Sequence, residues 1–187
     1  MGLHLVAEPR ELPTNYILGY FPAPPPGHAD YPAMLVAMDY LGDRLFEEVR
    51  TKRNLTYAVS AGMSDAATNY GYLYVTAVDP KTTLPVMFDE VAKMKAAPLT
   101  DELLQQTVNV FITHYYMGLE TNGSQAALLA SAELVGGDWR LAETLQGKIR
   151  AVTAADVQRV ANEYLGKYRF ALVGDAEAFP AEMFTGK

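Results

Sequence analysis

The chain has 187 residues, enough for one domain with a full-sized core. Half of it is apolar and a fifth is charged, which is ordinary globular composition, and the net charge of −7 argues against nucleic acid as a partner. There is no cysteine, so disulfides and thiolate chemistry are excluded. No apolar run approaches the ~18–20 residues that a membrane span needs. The start, Met1-Gly2-Leu3-His4-Leu5-Val6, lacks both the basic opening and the long apolar run of a secretory signal, so a soluble domain of open compartment is expected.

Residues 1 to 13 are weakly patterned and carry Pro9 and Pro13, which reads as a lead-in or linker. Thr14 to Phe21 is a strand. Tyr16, Leu18 and Tyr20 alternate with Asn15, Ile17 and Gly19, and both faces carry apolar groups, so a central or well-covered strand is expected. Pro22 to Gly27 is a stiff, extended connection. Asp30 to Leu41 is helical, with Met34, Leu35, Met38 and Leu41 on one face; Gly42 is expected to end it, and Asp43 to cap a new helix.

That second helix carries Leu45, Phe46 and Val49 on one stripe and Glu47 and Glu48 near its start. Asn54 suits a turn, because it tolerates left-handed backbone angles. From Thr56 the period changes to two: Tyr57, Val59, Ala61 and Met63 point one way, and Thr56, Ala58, Ser60 and Gly62 the other. Tyr70 to Val78 is the partner strand of a hairpin, with Tyr70, Tyr72, Tyr74 and Thr76 on one face. The tyrosine row reads either as a half-buried sheet face or as a peptide platform.

Helices follow over Leu84–Lys95, Leu104–Gly118, Asn122–Val135 and a segment bearing Trp139, Leu141, Leu145 and Ile149. Pro98 and Thr100 separate the first two, and Gly136-Gly137 ends the third. Thr153-Ala-Ala-Asp156 resembles a capping box, opening a helix with Val157, Val160, Ala161 and Tyr164 inward. Gly166 stops it, Tyr168 to Val173 is the last strand, and 176 to 187 is a tail. Strands that do not alternate strictly with helices point to α+β, a two-layer fold with an antiparallel sheet covered on one side by helices.

Arg50 and Tyr57 are the candidate site residues. The first ends a helix and the second begins the following strand, so both tips can aim at one side. Arg offers a fixed fork of donors and Tyr one rotatable O–H; together they can hold a peptide carbonyl and the oxyanion formed on attack. The alternative is a solvated cation beside a half-buried strand aromatic.

The stretch Leu-Phe-Glu-Glu-Val-Arg-Thr-Lys-Arg-Asn-Leu-Thr-Tyr-Ala-Val-Ser-Ala, from Leu45 to Ala61, resembles a signature of the pitrilysin/insulinase-type zinc peptidases. These are the inverzincins, which include mitochondrial processing peptidase. The signature lies in their C-terminal, non-metal half-domain. Phe170-Ala-Leu-Val-Gly-Asp175 looks like the family's domain ending, and the resemblance covers nearly everything from Thr14 to Asp175.

The resemblance implies a peptidase C-terminal domain over 14–175. Arg50 and Tyr57 would contact a peptide substrate there, in a site whose zinc sits on a complementary domain or subunit. It also implies homo- or hetero-dimeric partners, and an alternative role as a non-catalytic scaffold or partner subunit of a processing-peptidase-like complex. The family binds zinc through His-x-x-Glu-His on a helix. This chain has only His4, His28 and His114, none at ligand spacing, so no zinc site and no hydrolysis by this chain alone are expected.

Overall fold

The computed structural model describes residues 4–175; the expected tail, 176 to 187, lies outside the described residues. The chain runs β1 (His4–Pro9), β2 (Asn15–Pro22), α1 (Tyr31–Leu45), a π-helical turn (Phe46–Thr51), β3 (Val59–Met63), β4 (Tyr70–Ala77), α2 (Pro80–Ala96), α3 (Asp101–Met117), α4 (Asn122–Gly136), α5 (Arg140–Arg150), α6 (Ala154–Tyr164) and β5 (Arg169–Gly174). The strands form one sheet in the order β1-β5-β2-β4-β3, antiparallel except for the parallel pair β1–β5. The fold is α+β, as the element order indicates.

Alternation along the strands decides which face is covered. Ile17, Phe21, Leu73, Val75, Phe170 and Leu172 point to the helix layer and are buried. They meet Met34, Met38, Leu41 and Leu45 of α1, Leu84, Met87 and Val91 of α2, and Val157, Val160 and Ala161 of α6 in one core. At ~25 cal/mol per Å² of apolar area, that shared core is the main favourable contribution to the fold. The opposite face is open and aromatic: Tyr16, Tyr20 and Tyr70 are exposed there, and Tyr20 meets Tyr70 edge to face with ring centres 5.0 Å apart. The tyrosine row is thus one side of a half-covered sheet, with Tyr72 and Tyr74 half-buried.

Helix ends follow the chemistry of orphan N–H groups. Thr100 Oγ1 accepts from the Leu103 N–H, and Asp79 Oδ1 accepts from the Thr82 N–H. Thr153 and Asp156 form the expected reciprocal capping box. Gly137, at φ 80°, is the left-handed residue that closes α4.

Two local expectations fail. The stretch read as a lead-in contains β1, which pairs with β5 from His4↔Arg169 to Pro9↔Gly174. The expected break at Gly42-Asp43 is also absent. α1 runs through both residues, and the Phe46 N–H still bonds back to the carbonyls of Gly42 and Asp43. Gly42 is not a terminator but a point of close approach, because a Cβ there would sit 3.4 Å from the Ala61 carbonyl oxygen of β3.

Candidate functional site: a guanidinium on a π turn and the tyrosine against it

α1 does not end as an α-helix. Its last turn widens to π geometry over Phe46–Thr51, with the Lys52 N–H reaching the Glu47 carbonyl at 2.9 Å. The chain then reverses through Asn54, whose φ is 49°, the left-handed turn residue expected there. The Leu55 N–H closes on the Val49 carbonyl at 3.0 Å. Thr56 anchors the return: its hydroxyl donates to the Thr76 carbonyl of β4, while the Thr76 N–H donates to Ala58 at 3.0 Å. Tyr57 lies between these anchors, just before β3, and is 82% exposed.

This reversal brings the two predicted residues together. The Arg50 guanidinium carbon lies 4.7 Å from the Tyr57 ring centre and 4.9 Å from that of Phe46. Such a cation–π contact holds the charge over the ring without using up a hydrogen-bond acceptor for each N–H group. Among the described residues no carboxylate pairs with Arg50 and no side chain accepts a hydrogen bond from it.

The neighbouring cations behave differently. Buried Glu48 takes Arg44 at 2.6 Å, Lys52 at 2.7 Å and Arg53 at 2.6 Å, and Arg44 also reaches Glu90 at 3.0 Å. The Lys52 and Arg53 hydrogen bonds, more than that of Arg44, hold the Glu48 carboxyl down at about 2. The sequence suggested only a helix-dipole role for Glu48; its hub role has no local signature beyond the density of cations around it. Three of the four cations between Arg44 and Arg53 are therefore paired with a carboxylate on one side of the turn. Arg50 stands alone on the other, with an exposed phenol against it.

Higher on the same side of α1, Asp39 is half-buried, and its Oδ2 is buried without a hydrogen-bond partner. Burial, with the charge of Asp43 added, raises its carboxyl to about 6, while His114 opposes the rise. Nothing in the sequence singled out Asp39, since a lone helical Asp carries no motif.

The donor set does not fit a zinc site. Among the described residues no group of three or more metal-ligating side chains converges. The His28 Nδ1 accepts from the Asp30 N–H at 3.1 Å, and His114 lies on the exposed side of α3. No described helix is long and apolar enough to cross a membrane.

Comparison with known proteins places this architecture. A protease from Helicobacter pylori superimposes with a TM-score of 0.78 at 17% identity, over 92% of this chain and 44% of that one. The peptidase M16 inactive domain from Pseudomonas fluorescens gives 0.77 at 18%, over 93% and 43%. A chain of Complex III from Candida albicans gives 0.80 at 14%, over 91% and 45%. An uncharacterised zinc protease of Streptomyces coelicolor is 28% identical over 130 residues, 68% of this chain. The chain spans only 28% of that relative's length. The family described as the peptidase M16 inactive domain matches residues 2–111, a stretch that contains the whole π turn and both candidate residues. The chain belongs to that family of peptidase M16 inactive domains.

Proposed function

We propose that this chain is the substrate-side half of a zinc-dependent peptidase of the pitrilysin type. In this reading it closes over an extended peptide. Arg50 donates its in-plane N–H groups to a substrate carbonyl, and the Tyr57 O–H donates to the oxyanion that develops when the scissile carbonyl is attacked. Zinc, and the activation of water, belong to a complementary domain or subunit; this chain supplies orientation and charge stabilisation. The observation that carries the reading is the unpaired Arg50 held against exposed Tyr57 while Arg44, Lys52 and Arg53 all pair with Glu48.

The scaffold reading shares the fold with the Complex III chain, but at 14% identity that likeness speaks for the fold alone. A scaffold has no use for an unpaired cation beside a free phenol, so the peptidase reading is preferred.

The test is cleavage of unfolded peptides by the full-length parent protein, with Tyr57→Phe beside wild type. The substitution removes one O–H and keeps the ring on Arg50. The expected result is chelator-sensitive cleavage by wild type and a ~100-fold fall in kcat for the variant, with unchanged thermal stability. A wild type that stays inert with zinc supplied hands the chain to the scaffold reading.

A further inference from the structure

Away from the Arg50–Tyr57 pair, two hollows meet beside the start of α1. The first, about 500 Å³, lies between α4, α5 and the chain entering α1, and its walls are mostly apolar: Pro26, Pro32, Leu128, Leu141 and Leu145. The second, about 490 Å³, carries Lys148, Asp156 and Arg159 on its walls. Gly27, His28, Pro32 and Lys148 belong to both, so the two hollows are joined. Volumes of this size suit a small molecule.

The local sequence explains the shape. Leu141, Leu145 and Lys148 follow at four- and three-residue spacing on one face of α5, so that face reads apolar, apolar, cationic. Across from it α4 presents Ala127 and Ser131, side chains too short to fill the gap. α4 has no buried residue, packs chiefly on α5, and leaves Leu134 84% exposed. Only its end approaches α5 closely: a Cβ at Gly136 would lie 2.5 Å from the Leu141 Cδ1. The cleft therefore narrows at Leu141 and carries its cation ~10 Å further along α5, at ~1.5 Å per helical residue.

Charge sorts the two ends. In the second hollow Arg159 is taken by Asp30 at 2.6 Å, and Asp156 accepts from the Thr153 N–H at 3.1 Å in its capping box. Lys148 has no ion pair among the described residues. The His28 Nδ1 accepts from the Asp30 N–H at 3.1 Å, so the neutral ring carries its proton on Nε2, as a donor. Asp65 lines the first hollow only, near Tyr31: burial first, and then the Asp65 charge, raise that phenol to about 12. An anion is therefore repelled from the Asp65 side and drawn to Lys148 and His28.

We propose that the joined hollows bind an amphipathic carboxylate, with a medium-length hydrocarbon chain along Leu128, Leu141 and Leu145 and the carboxylate on Lys148 and His28. Such a site goes beyond the peptidase reading and stands whether or not Arg50 and Tyr57 serve a peptidase. A bound chain adds contacts on the open side of α4, the helix that has fewest of its own.

The test is calorimetric titration of the full-length parent protein with hexanoate, octanoate, decanoate and octanol, each below the concentration at which it aggregates. Affinity should rise about fourfold per added methylene until the cleft is full. Octanoate should bind about fivefold more tightly than octanol; Lys148→Met should erase that difference and Lys148→Arg should keep it. Ala127→Phe and Ser131→Leu, which fill the cleft from α4, should each remove the dependence on chain length. Bound octanoate should slow hydrogen exchange over α4, which places the ligand on this chain. No binding, a flat chain-length series, octanol binding as tightly as octanoate, or a length dependence that survives both filling variants overturns the site. So does acetyl-leucine amide binding more tightly than octanoate, or a ligand that protects only the rest of the parent protein. Lys148 is exposed, so its variants leave the core intact, and the comparison of octanoate with octanol decides the matter even where a filling variant unfolds.

Discussion

The two sides of one π turn treat cations in opposite ways. On one side Glu48 gathers Arg44, Lys52 and Arg53 within 2.7 Å and is itself buried. On the other, Arg50 has only the faces of Phe46 and Tyr57. A cation paired with a carboxylate has its charge offset and its tip held in place by that partner. A cation held by ring faces is positioned at ~0.5–1 kcal/mol per contact and keeps its donors. The difference teaches that clustered charge in a motif is not one signal. The hub ties Lys52 and Arg53 back to the turn, and the turn presents the one cation between Arg44 and Arg53 that no carboxylate takes among the described residues.

The largest expected effect on stability comes from the satisfied side. Glu48→Gln leaves Arg53 without a carboxylate and Lys52 with only Glu47 at 3.9 Å, and should lower the urea midpoint clearly at neutral pH. The sign follows from the direction of the shift. Glu48 is held at about 2, below its ordinary 4.5, so its contribution is fully present above pH 4.5 and is lost as pH falls through about 2. The gap between wild type and variant should narrow over that acid range. A variant as stable as wild type would mean that the hub fixes nothing.

A smaller effect should come from moving the two sides apart. Gly42→Leu forces a branched side chain into the contact with the Ala61 backbone, at a cost of ~1–3 kcal/mol. It should also shift β3, and Tyr57 with it, off Arg50. Gly42→Ala fits the 3.4 Å space and gains helix propensity of up to ~1 kcal/mol. Opposite signs for Ala and Leu in chemical unfolding confirm the close approach; equal losses would point to an ordinary helical glycine.

Much of this site was legible beforehand, and the gaps share a cause. The Arg50–Tyr57 pairing, the left-handed Asn54 and the alternation of β4 are encoded within a few residues, where spacing reads directly into geometry. β1 was missed because its pairing with β5 joins residues about 165 positions apart, and a short strand with two nearby prolines has no local signal. The helix break was misplaced because Gly42 has two meanings, terminator or point of contact, and only the position of β3 decides between them. The π turn escaped because an extra residue per turn is invisible to a 3.6-residue period.

Asp39 offers the finest test, because it lies on the Arg50 side of the helix yet is unsatisfied in the opposite sense. Arg50 keeps its charge at little cost because its tip is open to water and ligand. Asp39 must keep its charge with Oδ2 buried and partnerless and with Asp43 nearby. Its carboxyl titrates near 6 instead of 3.8, so the folded state binds the proton more tightly than the unfolded chain. Stability is therefore greatest below pH 3.8 as far as this group is concerned, and it declines as pH rises through about 6. Solvent still reaches part of the group, so the penalty at pH 8 is about 1 kcal/mol after screening. Asp39→Asn removes it. The variant should exceed wild type by about 1 kcal/mol in urea unfolding at pH 8 and match it near pH 4. A gain of the same size at both pH values would assign the effect to packing, and would leave the charge of Asp39 with no part in shaping this face.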